Sequence, residues 1–93
     1  MPKGISPTTG QIGGSSTGTF VAFPFSTYSD VYLTAHPRNS GTAWIISDGG
    51  AIGWPLVVGQ EPLYLENIEK LDSLRGWFDV LGDKICYLIL PTP

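Results

Sequence analysis

An antiparallel all-β fold, a β-sandwich or small β-barrel of six to eight short strands with an extended N-terminal arm, is what this sequence predicts. Three observations predict it. From Phe20 onward, β-branched and aromatic runs recur at intervals of about ten residues. Polar stretches rich in Gly, Pro, Asn and Asp separate those runs and supply turn conformations. The only helical spacing, Ile68, Leu71, Leu74 and Trp77, is interrupted by Gly76, which limits it to a short helical turn over Glu69–Leu74.

Residues 1–19 differ in composition from everything after them, being mostly Gly, Ser, Thr and Pro with Lys3 as the one charge. Such a segment cannot bury enough apolar surface to offset its ordering entropy, so it reads either as a flexible leader or as a docking arm. Its lack of charge favours the arm: Ile5 and Ile12, spaced by glycine and threonine, suit strand addition to a partner with the isoleucines in pockets. The domain proper is then residues 20–93.

Phe20–Phe25 is an extended run that Pro24 confines to an edge or a strand end, and Phe20 begins the core while also serving as a partner-binding candidate. Val31–Ala35 alternates, with Val31, Leu33 and Ala35 on one face. His36–Gly41 is a polar loop in which Asn39 or Gly41 can take positive φ. Ala43–Ser47 is the next strand, and Asp48-Gly49-Gly50 has the residues of a tight hairpin. Ala51–Pro55 reads as a loop or short irregular strand. Two short apolar strands, Leu56–Val58 and Leu63–Glu66, then flank the corner Gly59-Gln60-Glu61-Pro62, with Asn67 ending the second. Trp77–Leu81 is a strand closed by Gly82-Asp83, and Lys84–Leu90 follows it with both faces apolar, as in a strand that is central or covered on both sides. The expected core is Val31, Leu33, Ile45, Leu56, Leu63, Leu65, Ile85, Leu88 and Leu90.

The 93-residue chain has a net charge of −3 and five scattered cations, which offers no concentrated footprint for nucleic acid. It has no apolar run long enough to span a membrane and no signal-peptide core, so the expectation is a soluble product made in the cytosol. The single cysteine, Cys86, excludes an intrachain disulfide and reads as a small core residue. His36, the single histidine, excludes a multi-histidine metal site within one chain and reads as a solvated loop residue.

No catalytic set emerges. Asp48 and Asp83 sit beside glycines where a carboxylate bonds local backbone, Glu61, Glu66 and Glu69 read as a solvated rim, and Gly10–Gly14 lacks the lysine and helix of a phosphate loop. We therefore expect no enzyme, no cofactor and no metal. Trp44 and Trp77 fall inside predicted strands and read as core. Trp54, between Gly53 and Pro55, is the tryptophan expected to be exposed, facing a neighbouring subunit or a carbohydrate.

The runs Val31–Ala35, Asn39–Ile46, Trp54-Pro55-Leu56 with Gly59-Gln60-Glu61, and Gly82–Leu88 together resemble small virion proteins of tailed bacteriophages. In those proteins a strand leads into an Asn-x-Gly turn, a Pro-Leu corner follows, and a Gly-Asp hairpin introduces the last strand. The resemblance implies a capsid decoration, or cement, protein. Such a protein is a β module on the outside of the virion capsid, bound to the major capsid protein through an arm and forming a homo-oligomer, with a trimer favoured. Ile5, Ile12, Phe20 and Trp54 would then be the partner-binding residues. The alternatives are a head-fibre or tail-associated module and a carbohydrate-binding module with Trp54 and Tyr28 as its platform.

Overall fold

The structure, a computed structural model, describes residues 7–13, 20–24, 27–47 and 53–91, without the side chains of Thr27 and Pro91. Eight strands follow one another: β1 (Thr8–Gly13), β2 (Val21–Ala22), β3 (Thr27–Ala35), β4 (Ala43–Ser47), β5 (Trp54–Leu56), β6 (Leu63–Lys70), β7 (Leu74–Phe78) and β8 (Lys84–Pro91). A 3₁₀ turn, Leu71–Ser73, joins β6 to β7. The strands form two four-stranded antiparallel sheets, a front sheet β1-β8-β3-β6 and a back sheet β2-β7-β4-β5, so the predicted all-β fold is the observed one. The Asp48-Gly49-Gly50 hairpin and Ile5 lie outside the described residues.

Register decides which side chains meet, because residues paired across antiparallel strands share a face. In the front sheet the rows Ile12–Ile85–Ala35 and Gly10–Tyr87–Leu33–Leu63 face the core, while Gln11–Cys86–Thr34 and Thr9–Leu88–Tyr32–Tyr64 face outward. In the back sheet Val21–Gly76–Ile45–Trp54 and Phe78–Ala43–Leu56 face inward, while Ala22–Arg75–Ile46 and Trp77–Trp44–Pro55 face outward. Five expected core residues, Val31, Leu33, Ile45, Leu56 and Ile85, are buried, and Leu63 and Leu65 pack half-buried against them. Leu88 and Leu90 are corrected to the outer face: β8 alternates, and its inward residues are Ile85, Tyr87 and Ile89. β8 is central, as its two apolar faces require, but no described element covers its outer side.

Within residues 1–19, Thr8–Gly13 forms an edge strand paired with β8, and Ile12 is 8% exposed in the core. A Cβ at Gly76 would come within 2.8 Å of the Ile12 Cδ1 atom, so the glycine at the middle of β7 makes the space that the isoleucine fills. Phe20 does not begin the core; it is 52% exposed, and Phe23 is the buried phenylalanine. Trp44 and Trp77 point away from the core, because the inward positions beside them are held by Ala43, Ile45, Gly76 and Phe78.

Asn67 does not end its strand. It takes φ 52° inside β6, where two residues oppose Asp30, and its N–H donates to Asp30 Oδ1 at 2.8 Å, which is a β-bulge held by a side chain. The turns at Val57–Gln60 and Val80–Asp83 each close through an N–H to C=O bond of 3.2 Å, with Gly59 (φ 86°) and Gly82 (φ 90°) in the position that demands a glycine.

Two of the connections that cross between the sheets at one end of the strands are tied together. Asp83, almost fully buried, accepts the N–H groups of Ser40 (3.0 Å) and Gly41 (2.8 Å), so its carboxylate serves backbone more than forty positions away rather than its own turn. Asn39 holds no positive φ. Its amide instead pairs with Lys84, accepting the N–H at 2.8 Å and donating to the C=O at 2.7 Å.

Two stability outcomes follow. Ile12→Ala should cost about 2–3 kcal/mol in urea unfolding, in the lower part of the range for a buried isoleucine because β1 lies at an edge. Asp83→Ala should cost about 2–4 kcal/mol, because it strips partners from two backbone N–H groups, while Asp83→Asn should fall between it and wild type. Thermal unfolding of the three variants checks both.

Candidate functional site

The sandwich is not closed equally on its two sides. At the β1/β2 side Ile12 plugs the core, whereas between β5 and β6 the inner faces part into a seam of about 510 Å³. Ile45, Ser47, Trp54 and Leu74 line it from the back sheet, and Leu63 and Leu65 from the front. Trp54 sits on an inward-facing row but at the outermost strand, so its ring forms a lip of the seam and is 57% exposed. Val57 and Val58, in the turn that leads from β5 towards β6, add more exposed apolar surface. Among the described residues its lining is nearly all hydrocarbon and indole, with Ser47 as the one polar side chain. Such a surface suits apolar contact rather than proton transfer.

A second surface lies on the outer side of the front sheet. The rings of Tyr32 and Tyr64 approach to 4.7 Å between centroids at a tilt of 36°. The Tyr64 phenol is raised above its usual value, first by desolvation and then by the charge of Asp30 and a hydrogen bond to it. A shallow groove alongside has Leu88 and Cys86 as its floor, with Thr9, Gln11, Thr34 and Tyr32 in its walls. The Cys86 thiol is raised by burial, against a smaller lowering by Lys84.

The candidate partner-binding residues are not brought together. Ile12 is in the core and unavailable to a partner pocket, Phe20 lies beside the β2 edge of the back sheet, and Trp54 lies at its β5 edge. Trp54 is the one whose surroundings form a site. His36 is a turn residue: its Nδ1 accepts the Arg38 N–H at 3.1 Å, and its own N–H donates to the Lys84 carbonyl. Among the described residues no three His, Cys, Asp or Glu side chains cluster as metal ligands, and no helix is long and apolar enough to cross a membrane.

Sequence reasoning missed the outward tryptophans and the tyrosine pair. The available signal was period two: Ala43 and Ile45 alternate with Trp44 and Ile46, and the smaller pair faces a core already narrowed at Gly76. Compared with protein-family models, with curated proteins and with solved structures, the chain matches none.

A raised thiol predicts slow chemistry. Cys86 should react with a disulfide reagent at pH 8 several-fold more slowly than in urea. Because the folded state holds the proton more tightly, this contribution to stability is complete below the thiol's ordinary value of 9.0 and is lost as pH rises through the folded-state value. Melting temperatures across that window, compared with Cys86→Ser, measure the effect.

Proposed function

We propose that the chain is a non-catalytic structural module that docks on a larger protein assembly and adds contacts to it, as the decoration proteins of tailed-phage capsids do. The observation that carries this reading is the open seam, an apolar cleft between two edge strands with Trp54 on its lip. An extended apolar segment of a capsid protein could add to an edge there and place side chains on Leu63, Leu65 and Leu74, giving backbone hydrogen bonds and burial together. Many copies bound across subunit boundaries would then resist rupture, because several contacts must break at once. The phage assignment itself rests on the sequence resemblance.

A second reading is favoured by the Tyr32–Tyr64 pair and the hydroxyl and amide walls beside it, which suit a glycan better than the expected platform of Trp54 and Tyr28. Changes in the Tyr32 and Tyr64 ring resonances on adding soluble glycans, without capsid binding, would select it.

The test is co-sedimentation with assembled phage capsids. Wild type should pellet and raise the temperature at which the shells rupture, and Trp54→Ala should weaken binding by tenfold or more at unchanged fold, as an aromatic anchor does. Removing residues 1–6 isolates the contribution of Ile5, whereas removing 1–19 would also delete β1 and unplug the core. Failure to pellet together with an unchanged rupture temperature would end the proposal.

A further inference from the structure

The outer face of the back sheet is its own complement. Trp77 and Trp44 stand directly opposite each other on the central strands, and Pro55 continues their row across β5. Ile46 flanks this row, and no described element forms a third layer over it. Two charges bracket it along the chain through Trp77, one within β7 and one just past its end. Arg75 lies two positions before Trp77 on the same face and is exposed. Asp79 lies two positions after, and its Oδ1 accepts the Trp44 indole N–H at 3.3 Å, which fixes the carboxylate on this face.

We infer that this face pairs with the same face of a second copy about a two-fold axis lying along the Trp77–Trp44–Pro55 row. Charge selects that axis. A two-fold axis across the strands runs the two β7 strands antiparallel and sets Arg75 of each chain over Asp79 of the other. An axis along the strands would instead set Arg75 over Arg75. The tryptophan row stacks on its own copy at the centre, and the two ion pairs form the rim, the arrangement expected of an interface with aromatic anchors and polar edges. Asp79 keeps its second oxygen for the arginine while the first holds Trp44. Gly53 belongs to the same design: a Cβ there would come 3.0 Å from Ile46 and 3.1 Å from the Trp44 Cβ, so the glycine leaves these side chains undisturbed.

The four strands, two, five, five and three residues long in the order β2, β7, β4 and β5 and about 4.8 Å apart, present roughly 250 Å² of projected sheet. That is below the ~800 Å² per partner of a standard interface, so the pair should associate in the micromolar range. This inference does not rest on the seam. A chain that dimerises without binding capsids, or binds them as a monomer, separates the two.

Sedimentation equilibrium of the full chain from about 1 µM to about 1 mM should show a mass approaching twice the 10.0 kDa of one chain. Raising salt from about 0.05 to about 0.5 M should weaken the wild-type pair several-fold by screening its rim. Arg75→Asp and Asp79→Arg should each be monomeric alone and should restore a dimer when mixed, since one chain then carries two acids and the other two arginines on the face. A wild-type monomer throughout the range, a wild-type trimer, a dimer indifferent to salt, or folded charge variants that stay monomeric on mixing would each overturn the inference. If either variant fails to fold, the wild-type mass and its salt response decide the question.

Discussion

The buried carboxylate of Asp83 is the constraint on which the arrangement of the two sheets depends. The β3–β4 connection leaves the front sheet for the back, and the β7–β8 connection returns, so each carries backbone groups through a region where neither sheet can satisfy them. Asp83 takes two of those N–H groups, and Asn39 pairs with both backbone groups of Lys84 much as a neighbouring strand would. Burying a carboxylate is unfavourable unless it is fully bonded, and charged hydrogen bonds of this length offset that cost. The result is a pinned end, beside Ala35, Ala43 and Phe78. The seam opens farther along the strands, where Ser47 pairs with Leu74 and no comparable tie is found among the described residues.

The thin core follows from which residues stand at its centre. Gly76 and Ala43 bring the back sheet's backbone close to the front sheet, and Ile12 from the first strand occupies the space left over Gly76. Little volume then remains inside for large rings other than Phe23, Phe78 and the half-buried Tyr87, and Trp44 and Trp77 face outward. A chain of this size has few other ways to gain burial. The apolar seam and the two partly apolar outer faces are the natural surfaces on which it could gain more.

Much of the fold was legible because strand and turn chemistry is local. Val31, Leu33 and Ala35 alternate inward, Gly59 and Gly82 hold the positive φ of their turns, and β4 has the boundaries its sequence implies. What could not be read depended on distant partners. Nothing near Thr8–Gly13 announces a strand, since its glycines and threonines are favourable only beside β8 and only because Gly76 admits Ile12. Asp83 looks like a local turn residue because its true partners are distant in sequence. Where both faces of a strand are apolar, as in β8, alternation cannot say which one meets the core. Of the site, Trp54 was legible from its loop between Gly53 and Pro55, whereas the seam it borders depends on how the two sheets part.

The edges decide how a partner can approach. β6 is the longest edge strand, and an open edge of that length invites uncontrolled pairing. Its second half is guarded: Glu66, Glu69 and Lys70 are exposed, and the bulge at Asn67, held by Asp30, breaks the ladder geometry an incoming strand would need. The first half, Leu63–Leu65, carries no charge and no bulge, and it is the half that borders the seam. Strand addition is therefore discouraged except where an added segment would also find Trp54 and Leu74 within reach. That is the difference between an edge that aggregates and one that selects, because a segment must supply apolar side chains at the right alternation as well as a free backbone.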